Sequence, residues 1–262
     1  MTCMQSQTRV ECLATALKEL TPQQLGLIET LVDVFRQPFL CLERNGSSDL
    51  IDDGILRDFG DVLRMHHCFS REALSKDRFE YALEKTLVLG GKSAALASSR
   101  TNRGHDITID GVPCSLKTQA DKSIREDSIH ISKFMELGKG HWSASVSDLI
   151  GLRDQFFHHM QAYERIFTLR CLSRDAQKWR YELVEIPKNL LQEAADGELS
   201  ICRESKQKPK PGYCEVKDAE GSLKFQLYFD GGTERKLQIK LLRKDLCVVH
   251  AQWEFASNRE AK

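Results

Sequence analysis

The sequence predicts an α+β fold, in which a helical N-terminal part precedes a sheet that is mostly mixed or antiparallel. Up to residue 91, apolar residues recur at the three- and four-residue spacing of amphipathic helices. Beyond residue 165, short segments alternate between polar and apolar residues or are rich in β-branched and aromatic ones. Helices followed by strands, with one long helical segment at 148–164 to pack on the sheet, are typical of the α+β class.

Four helical segments are predicted in the N-terminal part, at residues 8–20, 22–36, 48–63 and 70–91. The second has the clearest start, because Thr21 can cap the helix and Pro22 suits its first turn. Its apolar stripe consists of Leu25, Ile28, Leu31, Val32 and Phe35. The third segment is weakened by two glycines, whereas the fourth ends clearly at Gly90–Gly91.

The predicted strands start with a hairpin around Asp110-Gly111 and continue through the C-terminal part. The later strands are at residues 128–132, 165–172, 178–186, 212–217, 223–229, 235–242 and 247–255. A short helix at 187–197 interrupts them, opened by Pro187 and closed by Gly197. The chain has no internal repeat and no low-complexity linker, so no domain boundary is evident from composition.

Composition is that of an ordinary globular protein, with 262 residues, 41% hydrophobic residues and a formal net charge of zero. No apolar run reaches the length of a membrane span and the N-terminus lacks a signal-peptide layout, so we expect a cytoplasmic protein without a membrane partner. Nine cysteines without a C-x-x-C pair favour reduced thiols over a zinc site or disulfides.

The charges are distributed unevenly along the chain. Residues 18–62 carry nine acids against four bases, whereas residues 201–244 carry eleven bases against six acids. Two interpretations remain open at this point: solvated surfaces on different faces, or a cationic C-terminal face that meets a polyanion.

The hairpin sequence "HDITIDGVPCSLK" sorts its side chains onto two faces. An Asp-Gly pair is a strong signal for a two-residue turn, which would set Ile107 opposite Cys114 and Asp106 opposite Ser115. Period-two alternation then directs the apolar residues to one face and Asp106, Ser115 and Lys117 to the other. Lys117 would lie diagonally across from Asp106, about 7–8 Å between backbones.

A carboxylate beside an ammonium group has two interpretations. The carboxylate can bind a hard divalent cation such as Mg²⁺, and the lysine can orient an attacking water and offset charge on a phosphate. These are the parts needed to hydrolyse a phosphodiester. The alternative is an exposed ion pair of little energetic consequence, which the geometry of the hairpin alone does not exclude.

The acid, the hairpin and the x-x-Lys ending resemble the motif of the PD-(D/E)XK nuclease superfamily. Longer strings resemble the SmaI-type restriction endonucleases, a type II family: "SRTNRGHDITID", "SKFMELGKG", "YERIFTLR", "YELVEIPK", "SKQKPKPGY" and "FDGGTERKLQIK". The resemblance runs from about residue 75 nearly to the C-terminus. It implies a restriction-endonuclease-like core, with a central mixed β-sheet flanked by helices, and one nuclease domain over residues 1–262. Within that domain, residues 1–70 would be helical, 71–170 the catalytic core and 171–262 β-rich.

The resemblance also implies an activity: a Mg²⁺-dependent homodimer that cleaves double-stranded DNA at CCCGGG to blunt ends. Carried over residue by residue, Asp106 matches the metal-binding aspartate and Lys117 the catalytic lysine. Ser115 stands where the superfamily usually has a second acid, two positions before the lysine, so this chain departs from the usual two-carboxylate pair.

Two glutamates are candidates for the missing acid. Glu80 lies on the helix before the hairpin, next to its apolar stripe, and is the favoured candidate; Glu136 follows the next strand. Either glutamate could equally be a charge on a helix surface. Ser115 could still contact the metal through water, and Leu116 could offer its carbonyl oxygen.

A site made only of G·C pairs needs donors for guanine and acceptors for cytosine N4. The stretches "SRTNRGH" and "DGGTERKLQIK" offer such groups, whereas "ESKQKPKPG" suits phosphate contact or is a solvated loop. The candidate DNA contacts are Arg100, Asn102, Arg103, Ser132, Lys133, Lys206, Lys208, Lys210, Glu234, Arg235 and Lys236.

A palindromic site implies a two-fold homodimer, for which the N-terminal helices are a candidate interface, and a companion methyltransferase that protects host DNA. The rival functions are a repair or structure-specific nuclease and a catalytically silent DNA-binding protein.

Overall fold

The computed structural model describes residues 2–98, 104–121, 124–138, 142–143, 145–174 and 177–257. Its helices are α1 (Thr2–Leu17), α2 (Pro22–Arg36), α3 (Asp53–Phe69), α4 (Lys76–Leu89), α5 (Val146–Met160) and α6 (Lys188–Gln192). Its first six strands are β1 (Cys41–Arg44), β2 (Ala94–Leu96), β3 (Ile107–Ile109), β4 (Val112–Gln119), β5 (Ser128–Glu136) and β6 (Arg165–Arg174). The other six are β7 (Lys178–Glu185), β8 (Glu198–Ile201), β9 (Gly212–Lys217), β10 (Leu223–Phe229), β11 (Lys236–Arg243) and β12 (Val248–Ala256). The α+β class is confirmed.

A seven-stranded sheet forms the centre of the molecule, in the order β1-β12-β7-β6-β4-β3-β2. β4 and β6 are parallel and the other neighbours are antiparallel, so the sheet is mixed, as expected. Strands from the N-terminal, middle and C-terminal parts of the chain all contribute to it. The remaining strands form an antiparallel sheet in the order β5-β11-β10-β9-β8.

Two hydrophobic cores lie on opposite faces of the seven-stranded sheet. On one face, α3 and α4 bury Phe59 and Phe79 against sheet residues that include Leu116 and Trp253. On the other face, a second core joins Phe156 of α5 and the apolar residues of the five-stranded sheet to β6 and β7. The central sheet is therefore covered on both sides, and the polar side of the hairpin faces the second layer.

Local signals account for where the main helices begin and end. Thr21 and Gln24 form a reciprocal capping box at the start of α2, as the sequence predicts for this start. Ser75 caps α4, and Gly91 adopts a positive φ of 85° just beyond its end. α3 begins at Asp53, five residues later than predicted, and ends at Phe69, six residues later. Its Gly60 allows a close approach to the sheet, since a Cβ there would lie 2.8 Å from Trp253 Cδ1.

Three short strands, β1, β2 and β8, were not predicted from the sequence. Each has four residues or fewer and lies at the edge of a sheet. A segment this short shows no clear alternation, and its extended shape is stabilised by pairing with a neighbour that is distant in sequence.

The N-terminal helices lie at the surface of the molecule. The described side chains of α1 are exposed apart from Leu17, and Val34 is the buried residue of α2. The predicted apolar stripe of α2 is only half-buried at its start, and Val32 and Phe35 are exposed. Within the described parts of the chain, none of the helices combines the length and the hydropathy needed to cross a bilayer.

Candidate active site

The predicted hairpin register is confirmed. Asp110 and Gly111 both have positive φ, 49° and 82°, as a type I′ turn requires. Ile107 pairs with Cys114, and the N–H of Asp106 donates to the carbonyl of Cys114 at 2.9 Å. The turn therefore fixes Asp106 at the end of the hairpin, opposite the stretch that leads to Lys117.

Three donors hold the carboxylate of Asp106. Its Oδ2 accepts hydrogen bonds from the Leu116 N–H at 2.6 Å and from the Ser115 hydroxyl at 3.1 Å. Its Oδ1 accepts from Lys76 Nζ at 2.7 Å, and the same ammonium lies 2.6 Å from Glu80 Oε1. Helix α4 thus brings Glu80 to Asp106, with the Lys76 ammonium between the two carboxylates.

Lys117 shares this polar side of the hairpin and is almost fully buried. Burial lowers its pKa to about 8, against the attraction of Asp106. For Asp106, burial opposes ionisation, but the positive charges of Lys117 and Lys76 outweigh it and lower the pKa below its ordinary value. Asp106 is therefore ionised at neutral pH, and the charge pair is an internal feature of the molecule rather than an exposed ion pair.

Aromatic residues enclose Lys117 from the second layer. Its Nζ lies 5.4 Å from the centroid of the Phe134 ring, which packs on His159. Burial lowers the pKa of His159 to about 4, and the charge of Lys117 adds to the effect. The hydroxyl groups of Tyr163 and of Thr168, the register partner of Lys117, are buried without a partner among the described residues.

The donor set suits a hard divalent cation. Asp106 and Glu80 each direct one carboxylate oxygen at a common position, which a cationic nitrogen occupies at 2.6–2.7 Å. Carboxylate oxygens are the ligands that Mg²⁺ prefers. The described residues contain no group of three or more His, Cys, Asp or Glu side chains that could hold a metal ion. Further ligands would therefore be water, a phosphate or a backbone oxygen such as that of Leu116.

Glu136, the other candidate acid, lies elsewhere. It ends β5, is exposed, and forms an ion pair with Lys133 at 2.8 Å. Together with Gln207, Lys208 and the turn at 231–235, it lines a cavity of about 820 Å³. In this structure Glu80 is thus the glutamate linked to Asp106, whereas Glu136 belongs to this second cavity.

The cavity brings together candidate DNA contacts from two parts of the chain, the lysine-rich loop and the turn before β11. Arg235 has a positive φ of 42°, and its carbonyl accepts from the N–H of Leu137 beyond the end of β5. Glu234 pairs with Lys236 at 3.0 Å, and the lysine-rich loop contributes Lys208. Ser132 and Lys206 are exposed, and Lys210 donates to the carbonyl of Ser205. The other three candidates, Arg100, Asn102 and Arg103, lie outside the described residues.

Sequence reasoning missed three residues of the site: Lys76, His159 and Tyr163. The i, i+4 spacing of Lys76 and Glu80 is a signal that could have indicated an ion pair beside the predicted acid. No sequence signal could have placed His159 beside Lys117 or Tyr163 against His159, because those contacts depend on how the second layer packs.

Comparison with known proteins identifies the family. The model of the SmaI family, type II site-specific deoxyribonucleases, matches residues 13–255. The chain belongs to the SmaI family of type II site-specific deoxyribonucleases. A curated relative, the type II restriction enzyme SmaI of Serratia marcescens, is 50% identical over 209 residues, which are 80% of this chain and 83% of the relative. No solved structure gives a significant match.

The SmaI family assignment covers every part of the site just described. The matched residues include α4, the hairpin, α5 and the cavity beside β5. The protein is accordingly a SmaI-type restriction endonuclease, a nuclease whose substrate is DNA.

Proposed function

We propose that this enzyme hydrolyses both strands of DNA at the palindrome CCCGGG, leaving blunt ends, and that it does so with Mg²⁺ as a homodimer. The observation that carries the proposal is the clustering of Glu80 and Lys117 around Asp106 at the end of the hairpin in a SmaI-family chain. The name and 50% identity of the curated relative support the recognition site. Strands from all parts of the chain build the central sheet, which supports one nuclease domain over residues 1–262.

Each residue of the site has a role in this proposal. Asp106 and Glu80 would hold Mg²⁺, which when bound supplies Lewis-acid chemistry at the scissile phosphate. Ser115 and the Leu116 N–H keep the Asp106 carboxylate oriented, and the Leu116 carbonyl is a further candidate ligand. Lys117 would donate to the attacking water and hold it in line with the bond from phosphorus to the leaving 3′ oxygen.

The cavity beside β5 is the proposed DNA-reading surface. Arg235 and Lys236 would donate to guanine O6 and N7, and Glu234 would accept from cytosine N4. Arg100, Asn102 and Arg103 stay proposed readers from the segment before the hairpin. Phosphate contacts are assigned to exposed or partly exposed groups around the cavity: Ser132, Lys133, Lys206, Lys208 and Lys210.

The homodimer follows from the symmetry of a palindrome and is supported by the N-terminal helices. Their exposed large apolar side chains are Val10, Leu13, Leu27, Val32 and Phe35. A helix as exposed as α1 is marginal in water by itself, and a second copy packed on it would stabilise it. A companion methyltransferase would modify the same site and need not bind the nuclease, and both would act in the cytoplasm, where the DNA lies.

Digestion of two plasmids tests the proposed function. One plasmid carries a single CCCGGG site, and its control carries CCTGGG at that position. We expect one blunt double-strand cut, within CCCGGG, in Mg²⁺ and none in chelator, with sequenced ends giving the position. Nicks, cuts at unrelated sequences, or cleavage that persists in chelator would contradict it. The variant Asp106→Asn should leave both plasmids intact.

A further inference from the structure

Lys76 occupies the position that the proposed function assigns to the divalent cation. Its Nζ lies 2.6 Å from Glu80 Oε1 and 2.7 Å from Asp106 Oδ1. One cationic group of the chain thus contacts one oxygen from each proposed metal ligand. The arrangement is built by α4, where Lys76 and Glu80 stand four residues apart on one face.

The hydrogen bonds of Asp106 leave a single oxygen for this contact. Oδ2 is already bonded to the Leu116 N–H and the Ser115 hydroxyl, so Oδ1 is the atom that Lys76 holds. A divalent cation shared by Asp106 and Glu80 would need the same Oδ1. Two cations this close repel each other strongly in a partly buried site, so the ammonium and the metal cannot both remain.

Of the two ammonium groups beside Asp106, only Lys76 can leave. It is the first residue of α4, and its side chain is 39% exposed, so rotation about its flexible stem carries the charge into water. Lys117 stands on a central strand and is buried under Phe134. Lys76 is therefore the ammonium group that a divalent cation would displace from Asp106.

The charges of the site favour the exchange when DNA binds. Asp106 and Glu80 are balanced by Lys76 and Lys117, so the formal charges cancel. Replacing Lys76 by a divalent cation leaves one excess positive charge. That excess matches the single negative charge of a phosphodiester, whereas retention of Lys76 as well would leave two.

We propose that Lys76 is an internal counter-ion that holds Asp106 and Glu80 together in the metal-free enzyme and is displaced when the divalent cation binds. It is a positioning residue and also a competitor, so it sets the metal concentration at which the enzyme becomes active. The inference rests on the proposed function for the identity of the metal ligands.

Titration of the DNA-free, full-length enzyme with Mn²⁺ tests this without any cleavage. The variant Lys76→Met keeps the aliphatic stem and removes the charge, and Lys85→Met removes a charge from an exposed position of the same helix. We expect Lys76→Met to bind Mn²⁺ about tenfold more tightly than the unaltered enzyme, because no ammonium must be displaced. The Mn²⁺ affinity of the Lys85→Met control should stay within about twofold of that of the unaltered enzyme.

Thermal unfolding gives an independent readout. In chelator, the melting temperature of Lys76→Met should lie below that of the unaltered enzyme, since two carboxylates are left facing each other. Mn²⁺ should raise the melting temperature of Lys76→Met by more than it raises that of the unaltered enzyme. If Lys76→Met does not fold, Lys76→Gln replaces it in both measurements.

Unchanged or weaker Mn²⁺ binding by the folded variant overturns the inference. Loss of DNA affinity in chelator, with unchanged Mn²⁺ binding, would make Lys76 a phosphate contact and overturn it as well. Plasmid digestion by the unaltered enzyme separates this failure from that of the proposed function. If that enzyme cuts CCCGGG in Mg²⁺ while Lys76→Met shows no gain in Mn²⁺ affinity, the Lys76 inference alone is lost.

Discussion

Burial and charge act in opposite directions on Lys117. Removal from water lowers its pKa to about 8, while Asp106 favours the charged form. At neutral pH most molecules therefore carry an ammonium here, held beside Phe134 with little freedom to move. A donor fixed in this way suits the positioning of a water molecule, because its orientation is determined before the substrate arrives.

Replacement of Lys117 by alanine should abolish cleavage while leaving DNA binding nearly intact. We expect the cleavage rate to fall by about 10³-fold or more, since a positioned proton donor contributes up to about 10⁴-fold. The dissociation constant for a CCCGGG duplex, measured in chelator by gel shift, should change by less than about threefold, because Lys117 is buried away from most of the duplex. A variant that cuts at the normal rate would refute the role.

Changing Glu80 or Glu136 to glutamine should have different effects on cleavage and on DNA affinity. Glu80→Gln removes a carboxylate linked to Asp106, so we expect the cleavage rate at saturating Mg²⁺ to fall by about 10²-fold or more. Glu136→Gln changes the cavity beside β5, so the rate should hold within about threefold while affinity for DNA changes. Single-turnover cleavage and gel shift measure the two effects. The reverse outcome would assign the metal to Glu136.

Among the elements, the start of β6 is tied to two other segments by Arg165 and to a third through Glu185. Its guanidinium pairs with Glu185 at the end of β7 and with Asp49 before α3, and Glu185 in turn contacts His250 of β12. Burial opposes ionisation of Glu185, but His250 and Arg165 outweigh it and lower the pKa. The cluster therefore connects the N-terminal part to the sheet through charges that depend on pH.

Replacement of Arg165 by methionine should destabilise the protein by about 2–4 kcal/mol at pH 7.5, because it removes one of the two partners of the half-buried Glu185 carboxylate. Since the pKa of Glu185 is lowered by folding, this stabilisation is present above the ordinary value and is lost as pH falls through the folded value. The difference in free energy of unfolding between Arg165→Met and the unaltered protein should therefore shrink below about pH 4.

Urea unfolding of both proteins at pH 7.5 and below about pH 4 measures how the loss of stability depends on pH. Arg44→Met is the control, because its partner Asp53 is exposed and the pair should contribute less than about 1 kcal/mol. An Arg165→Met deficit that is equally large at both pH values would contradict the linkage.

Two glycine-to-alanine changes in helices should change the free energy of unfolding in opposite directions. A Cβ on Gly60 of α3 would meet Phe39 and Trp253 below 3 Å, so Gly60→Ala should destabilise by about 1–3 kcal/mol. Gly151 of α5 is exposed with no atom near a Cβ, and Gly151→Ala should stabilise by about 0.5–1 kcal/mol. Chemical unfolding of both variants checks the signs, and a stabilising Gly60→Ala would show that α3 can shift away from the sheet.

For the whole molecule, the exposed apolar side chains of α1 and α2 form the proposed dimer interface. We predict that the double change Leu13→Glu and Leu27→Glu, one on each helix, converts a dimer into a monomer in sedimentation equilibrium. Charges on the exposed apolar face oppose its burial against a second copy. The monomer should nick plasmid DNA or leave it uncut, since in the proposed homodimer each chain would supply the site for one strand.

Ile150→Glu is the control for that experiment. Ile150 is an exposed apolar residue of α5, about as accessible as Phe35 of α2, and its change should leave the mass at two chains. A double variant that stays dimeric would remove α1 and α2 from the interface. If the unaltered enzyme is itself a monomer, the proposal of a homodimer is wrong.

The sequence by itself determined the hairpin, the helices and most strands of the sheets. The Asp110-Gly111 turn and two-residue alternation fix the pairing of Ile107 with Cys114, and hence the common side of Asp106 and Lys117. These features depend on interactions between residues close in the chain, so their periods and turn signals can be read directly.

Only the tertiary structure decided which other groups meet that pair. Packing of α4 over the hairpin brought Lys76 to Asp106 across thirty residues, and the second layer enclosed Lys117 with Phe134 and His159. The same packing carried Glu136 into a different cavity. Local periodicity gives the face that a side chain occupies but not the element that will cover it, because that choice depends on contacts between segments distant in sequence.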